Sequence, residues 1–485
     1  MCKHSSIGFQ FTSPVTELKV MTVAVLGGGV SGLAAAHYLC GRVGRVVVLE
    51  GSERLGGWIE TTSHSDGVVF EHGPRTLRVA GNAGGNTLAL AESLGLTDRV
   101  VSVPYSHPSA RNRMILVGGK LHKLPNSLKT AFTKTSPFSR PLALSALTDL
   151  KAKPVLNTDE SLFSFVRRRF GLEVAKYAID PLARGVFAGN ARDLSVTSLA
   201  KRLHVVEQKH GSVLKGLIKD RKNAEKPNLD LAKSELVQRA RKERWSVWSL
   251  EGGLENLVRT LEKRNREDGV EIRTNTKVKG VIQSGGRLVV QTDSEELEVD
   301  HIISCLPANC LSSVISQTNL DVSRLLASIP FVTVGVVNLE YAGHLVNEPA
   351  FGYLVPSSEP NRVLGVIFDT CTFPQGNRTI LTIMMGGYWF KSWFGDSPSE
   401  QTILDTAVNE VRQTLGINQE PDRFIVKILR DCIPQYVVGH SENVTNARRL
   451  LKDLRLPLSL AGNSYDGAGI NDAIISAKKA AQELL

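Results

Sequence analysis

The rhythm of apolar and polar positions changes several times along the 485 residues, and each change marks an element. An unbroken apolar run, Val23–Leu26, predicts a buried strand. It opens onto Gly27, Gly29 and Gly32, after which the small-residue stretch Leu33–Leu39 predicts a helix. A second buried run, Val46–Leu49, ends on an acid, Glu50. Residues 84–101, with Leu88, Leu90, Leu94 and Leu96, predict a short helix starting near Asn86. Arg111–Leu124 reads as a hairpin about Gly118-Gly119. From about residue 125 to 243 the period is helical, with few strand signals.

Trp245–Gly253 marks a boundary, and Leu254, Leu257, Val258 and Leu261 then form the apolar stripe of a helix. Glu271–Ile282, Leu288–Thr292 and Leu297–Val299 predict a β-meander leading into another buried strand, Asp300–Pro307. Phe331–Leu339, Gly352–Val355, Gly365–Phe368 and Thr379–Met385 predict a further sheet. Leu458–Gly462 then runs through Asn463–Gly469 into a final helix, Asn471–Leu484. A strand, a glycine turn and a helix start thus stand at both ends of the chain.

The fold class implied is α/β: a Rossmann-like nucleotide-binding domain assembled from separated segments, a mixed α+β second domain and an inserted helical domain. The boundaries expected are an N-terminal extension, 1–20; a nucleotide-binding domain from 21–110, 245–325 and 432–485; a mainly helical, basic domain, 111–244; and a mixed domain, 326–431. A chain of this length is expected to form two or three domains.

Composition narrows the partners. Hydrophobic content of 42% with 22% charged residues is that of a soluble globular protein. A net charge of +10 suits a dinucleotide, an acidic substrate or an anionic membrane surface, although ordinary solubilising charge accounts for it equally well. Nucleic acid is disfavoured, because neither a recognised motif nor an aromatic platform accompanies the charge. The six cysteines are scattered, with no CxxC pair or zinc spacing. They read as free thiols of a reducing compartment, with no metal site. Residues 1–20 lack the apolar segment of a secretory signal and contain no arginine, and Met21 could itself be a start. No run of about 18 apolar residues exists to span a bilayer. Leu142, Leu144, Leu147 and Leu150, after Lys129, Lys134 and Arg140, fit either a basic membrane-facing surface or a helical domain with a solvated basic face.

The chemistry concentrates in 22–58. In G-x-G-x-x-G the first glycine permits a tight turn, the second admits a pyrophosphate close to the backbone, and the third lets helix pack on strand. The helix start offers unpaired N–H groups and a positive dipole end. Glu50, at the tip of the second strand, suits adenosine ribose hydroxyls. Gly56-Gly57 allows close backbone approach, and Gly73-Pro74 is a turn presenting Arg75. The turn before the final helix forms a second anion-friendly site. No paired carboxylates and no Ser/His/Asp or Cys/His constellation stand out.

Gly27–Gly32 with Glu50, Arg54-x-Gly56-Gly57, and Ala461-Gly462 with Gly469-x-Asn471 resemble the FAD-dependent amine-oxidase superfamily. Within it, SERLGGW (52–58), HGPR (72–75), RGVFAGN (184–190), WSLEGGLE (248–255), CIPQY (432–436) and AGNSYDGAGIND (461–472) resemble the mitochondrial-type protoporphyrinogen oxidase family. The resemblance runs from about residue 22 to the C-terminus.

It implies an enzyme that oxidises protoporphyrinogen IX to protoporphyrin IX, passing electrons through non-covalent FAD to molecular oxygen and releasing hydrogen peroxide. FAD would contact Gly27, Gly28, Gly29, Val30, Ser31 and Gly32, with Glu50 and Gly51 at the ribose and Val278 near the adenine. Trp58, Gly73, Pro74, Arg75 and Thr76 would approach the flavin, and Asn463, Ala468, Gly469 and Ile470 would close its other side. Arg113 would pair a propionate, Gly185 would contact the macrocycle through its backbone, and Phe351, Leu354 and Met384 would sandwich it. No side chain is expected to be catalytic in its own right, because the flavin does the chemistry.

Segment 111–244 would attach peripherally to the inner mitochondrial membrane, 326–431 would bind substrate, and the enzyme would be a homodimer or monomer in contact with ferrochelatase. Import would need an internal signal. The rival readings are another flavin oxidase acting on amines or polyenes, a non-catalytic flavin- or porphyrin-binding protein, and an NAD-dependent dehydrogenase. The last explains neither HGPR nor the C-terminal half-site.

Overall fold

The computed structural model describes residues 19–156, 158–220 and 231–485. The expected extension 1–20 therefore lies almost wholly outside the described residues. The first sheet is parallel throughout, in the order Glu271–Arg273, β2 (Val43–Leu49), β1 (Lys19–Leu26), His301–Ser304 and Leu458–Leu460. A parallel sheet is covered on both faces, which is why its strands read as apolar runs rather than alternation. On one face α1 (Val30–Leu39) packs through Leu33, Ala34 and Ala36 against Ala473 and Ala477 of the final helix, Ile470–Leu484. Glu255–Glu267 adds Leu257, Val258 and Leu261 to that core. On the other face Ala24, Leu26, Val47 and Leu49 meet the meander through Val281 and Val290. The sheet thus unites segments from both ends of the chain.

The second sheet has seven strands in the order Arg423–Pro434, Phe331–Ala342, Arg378–Gly387, Val363–Phe368, Gly352–Leu354, Met114–Val117 and Lys120–Lys123. One face is sealed by the helix Glu400–Leu415, with Leu339, Leu381, Ile383 and Met385 against Ile403, Ala407 and Val411. The hairpin about Gly118-Gly119 forms as expected, but it extends this sheet, with Tyr353 paired in parallel to Met114, rather than joining the helices of 111–244. Residues 125–244 contain no strand among the described residues. Their helices converge on Arg169, fully buried between Asp149 and Glu207.

Three elements differ from the pattern-based expectation. The helix of 84–101 spans Gly81–Ser93 instead, because Gly95 turns left-handed (φ +73°). The β-branched Val100, Val101 and Val103 then form a strand on Trp245–Leu250, so that boundary segment is itself buried sheet. Glu271–Ile282 divides at Asn275 (φ +53°), with Glu271–Arg273 in the parallel sheet and Val278–Ser284 in the meander. Arg423–Pro434, unanticipated, is an edge strand whose half-exposed residues mask any clean alternation.

The helical segment docks on the second sheet through RGVFAGN. Arg184, at the end of Asp180–Phe187, is buried and donates to the carbonyls of Val355 (3.0 Å), Pro356 (2.7 Å) and Asn361 (2.6 Å). Its guanidinium lies 5.0 Å from the Trp389 ring and 5.1 Å from the Trp393 ring. Burial lowers its pKa to about 10, so it stays charged. Arg184→Leu leaves three carbonyls unpaired, at about 1 kcal/mol each. We expect a thermal unfolding midpoint well below the parent's by calorimetry, with Arg184→Lys in between because ammonium cannot reproduce the planar fork.

Candidate active site

The cradle at the end of β1 is built by glycine backbones. Gly27 (φ +97°) donates to the Leu49 carbonyl at 2.8 Å. A Cβ on Gly32 would stand 1.8 Å from the Gly27 oxygen, and one on Gly28 would stand 2.4 Å from Leu55 Cδ2. The Gly28 N–H donates to Glu50 Oε2 (2.7 Å), while Glu50 Oε1 accepts from the Ser52 N–H (2.9 Å) and hydroxyl (2.8 Å). The Gly56 N–H donates to the Gly28 carbonyl at 2.9 Å. Gly57 and Gly29 then face each other, with a Cβ on Gly29 meeting only the Gly57 Cα, at 3.9 Å. Arg54 braces this turn from below, donating to the carbonyls of Leu55 and Ile59 (each 2.9 Å) and to that of Gly57.

Gly51 lies against Lys277, the residue before Val278. Gly73 packs on the Trp58 backbone: a Cβ there would stand 2.1 Å from the Trp58 oxygen. From the far end of the chain, Gly462 (φ +106°) approaches Ser31 and Cys305, with its ideal Cβ 3.6 Å from Ser31 Oγ. The Tyr436 hydroxyl donates to the Asn463 carbonyl (2.5 Å) and accepts from the Gly467 N–H (2.9 Å), holding the turn that carries Ala468, Gly469 and Ile470. Neither α1, which starts after Gly29, nor the final helix, which starts after Gly469, has a side-chain cap. Two sets of leading N–H groups are thus left for an anion. With the glycines that exclude side chains between them, these residues fit a dinucleotide cofactor.

A buried polar seam joins this cradle to the second sheet. His72 Nδ1 meets Asn338 Oδ1 at 2.9 Å, Asn338 donates to Thr382 Oγ1 at 2.8 Å, and Thr382 donates to Asp369 Oδ2 at 2.8 Å. Arg75 closes the chain with an ion pair to Asp369 at 2.6 Å. The rigid turn at Gly73-Pro74 does present Arg75, and the guanidinium is directed across the seam. Beside it, Glu71 accepts from the Leu254 N–H (2.6 Å) and the Thr61 hydroxyl (2.7 Å). Burial raises its pKa to about 7, against the opposing pull of those bonds and of Arg75.

The residues expected to hold substrate lie together on and around the seven-stranded sheet. Leu354 pairs with Gly365, and Gly365 pairs with Met384, so the three stand in one row across adjacent strands. Gly185 abuts this row, its ideal Cβ 2.2 Å from Leu354 Cδ2. Arg113 lies with its guanidinium 4.6 Å above the Phe351 ring and donates only to the Ser109 carbonyl, at 3.0 Å. No carboxylate among the described residues pairs with it. Burial, and then Arg78, lower its pKa. Phe351 also lines a cavity of about 680 Å³ with Arg75, Thr76, Ile367 and Asp369.

Gly365, Ile367 and the seam residues Asn338, Thr382 and Asp369 were not anticipated as site residues. The mid-strand glycine in VLGVIF is a signal of close approach. An asparagine within an apolar strand, Phe331–Ala342, is a signal of a buried polar contact.

The profile of the flavin-containing amine oxidoreductase family matches residues 30–485. Protoporphyrinogen oxidase of Bos taurus is 42% identical over 96% of this chain and 98% of its own length. Protoporphyrinogen oxidase of Homo sapiens is 41% identical over the same shares. The chain belongs to the flavin-containing amine oxidoreductase family, among the protoporphyrinogen oxidases.

The family's cofactor here is FAD, which the glycine cradle fits. A crystal structure of an Exiguobacterium sp. 255-15 protein, provisionally named protoporphyrinogen oxidase, superposes with a TM-score of 0.78 at 22% identity, covering 96% of this chain and 99% of that one. Cyclohexylamine oxidase of Brevibacterium oxydans superposes with a TM-score of 0.64 at 15% identity, over 96% and 99%. Both are likenesses of fold.

Glu71 yields a pH prediction for this family member. Its folded pKa is raised, so its favourable contribution is complete below the unfolded value of 4.5 and is lost as pH rises through about 7. A shift of this size corresponds to about 3 kcal/mol. Glu71→Gln, whose amide can accept from the Leu254 N–H and donate to the Thr61 hydroxyl without a charge, is expected to match the parent at pH 5 and to unfold at a higher temperature at pH 8. A parallel decline of both proteins with pH would refute a buried ionising Glu71.

Proposed function

We propose that this chain oxidises protoporphyrinogen IX to protoporphyrin IX, the penultimate step of heme biosynthesis, with FAD as cofactor, oxygen as final acceptor and hydrogen peroxide as by-product. The observation that carries this is 41–42% identity with the bovine and human protoporphyrinogen oxidases over 96% of the chain. Bound FAD supplies the two-electron acceptor for each of the three oxidations.

The chain's own residues bind, orient and desolvate. Arg113, half-buried above Phe351 and free of any described acid, is suited to fork a propionate. Leu354 and Met384 offer an apolar wall on either side of Gly365, whose missing side chain lets the Leu354 side chain lie over the strand. Gly185 brings a backbone to the same wall. No strong base is required of the protein, because the electron-rich macrocycle stabilises its own cation as hydride leaves.

A membrane surface is part of this reading, since substrate and product are poorly soluble. Leu128, Phe132, Leu144, Leu147 and Leu150 are exposed, from 43% at Leu144 to 83% at Leu128, beside Lys129, Lys134, Arg140 and Lys151. Apolar side chains ringed by cations suit the interface of an anionic bilayer. No described helix is long and apolar enough to cross a membrane. Peripheral attachment to the inner mitochondrial membrane, as a homodimer or monomer within reach of ferrochelatase, completes the proposal.

Anaerobic mixing with protoporphyrinogen IX should bleach the flavin absorbance, each FAD taking two of the six electrons, and porphyrin fluorescence should then rise faster than in an enzyme-free control once admitted oxygen reoxidises the flavin; bleaching with no such rise after oxygen is admitted would refute the substrate. Arg113→Ala should raise KM by about tenfold or more, the scale of one partly buried guanidinium–carboxylate contact, while FAD content per chain is retained. Equal loss of cofactor and affinity would make Arg113 a structural residue. Leu147→Glu with Leu150→Glu should abolish co-flotation with cardiolipin-containing vesicles, and undiminished flotation would remove this face from the membrane.

A further inference from the structure

A second cavity, of about 750 Å³, lies at the seam between the nucleotide domain and the helical segment. Its chemistry is two-sided. Val79 and the half-exposed ring of Tyr105, over the buried Val237, Ala240 and Trp245, form an apolar floor, while Arg202, Arg241 and Arg244 contribute three guanidiniums at an exposed rim. No aspartate or glutamate lines it, and none of the three arginines makes an ion pair among the described residues. Arg244 is held there with a left-handed backbone (φ +56°), uncommon for a residue with a side chain, its carbonyl accepting from the Tyr105 N–H at 2.9 Å. Three like charges without a counter-charge repel one another, an arrangement that an anion would relieve.

The place of the cavity is equally informative. One wall is the short stretch Val79–Asn82. Directly before it, Arg78 is close enough to Arg113 to depress its pKa, and the Arg78 carbonyl accepts from Asn471 of the C-terminal half-site at 2.8 Å. The cavity therefore backs onto the segment that separates it from the propionate-binding arginine. A small inorganic anion would use the guanidiniums but not the floor. A flat apolar body carrying carboxylates would use both.

We infer that this cavity is a second docking subsite, which takes the carboxylates of a tetrapyrrole on Arg202, Arg241 and Arg244 and its ring on the floor of Val79 and Tyr105. The inference rests on the proposed oxidase reading for the identity of the tetrapyrrole. Such a subsite holds a poorly soluble macrocycle beside the reaction cleft, as it arrives from the membrane-facing helices or leaves toward them.

The test is equilibrium titration of the full-length, FAD-loaded protein with protoporphyrin IX, read by porphyrin fluorescence. Two molecules should bind per chain. Arg202→Gln with Arg241→Gln should weaken one of them about a hundredfold, about tenfold for each lost guanidinium, and leave the other in place. Arg113→Ala should weaken the other one instead. Protoporphyrin IX dimethyl ester, whose carboxylates are masked, should not compete for the arginine subsite.

One molecule per chain in both the parent and the double variant would overturn the subsite, and so would undiminished competition by the ester. Displacement of porphyrin from the arginine site by phosphatidylglycerol vesicles alone would overturn it in favour of a lipid headgroup. Two porphyrins in the parent and one in the double variant, from a protein that fails to oxidise protoporphyrinogen, would refute the oxidase reading and leave the subsite standing.

Discussion

Much of this molecule depends on a few places where backbones must come closer than a Cβ allows. Gly32 lies over the Gly27 carbonyl, Gly73 over the Trp58 carbonyl, and Gly29 faces Gly57 across the cradle. The first two contacts do not survive a side chain, while at the third a Cβ on either glycine would narrow the gap without a clash. Their effect is to expose N–H groups at two helix starts, α1 and the final helix, without filling the space in front of them. A cofactor with a pyrophosphate in the middle is the ligand that such a surface suits.

The cradle would be a loose assembly without the side chains that tie its walls. Arg54, Arg184, Gln435 and Tyr436 all donate to main-chain carbonyls: Arg54 within its own turn, Arg184 to the loop after Leu354, Gln435 to Phe187, and Tyr436 to Asn463. These four residues lie in RLGGW, RGVFAGN and CIPQY, the stretches on which the family resemblance is carried. What is recognisable in them is therefore largely packing and main-chain satisfaction, rather than chemistry. Gly189, whose ideal Cβ would meet Gln435 at 2.2 Å, shows two of those motifs in direct contact.

The polar seam from His72 through Asn338, Thr382 and Asp369 to Arg75 adds orientation. An apolar interface between cofactor domain and sheet would be non-directional and free to slide. A fully bonded chain of buried polar groups has one register, and it is costly to leave half-made. It fixes the second sheet, which carries the Leu354–Gly365–Met384 row, against the segment of His72 and Arg75. The arginine-rimmed cavity stands just outside this frame, at the seam with the helical segment.

The sequence alone determined the local pieces: β1, the glycine turn and α1, Glu50 at the tip of β2, the strands of the second sheet other than Arg423–Pro434, and the helical character of 125–243. Each depends on neighbours within about ten residues, through apolar runs, period and glycine spacing, and these are legible in a linear chain. The tertiary structure decided the rest. It joined the 114–123 hairpin to the second sheet, turned Val100–Pro104 into a strand and sent Arg75 across the seam to Asp369. It also put Gly365 between Leu354 and Met384, and set three unpaired arginines over an apolar floor. These are contacts between segments tens to hundreds of residues apart, and no local periodicity encodes them, because they exist only once two separately formed surfaces have met.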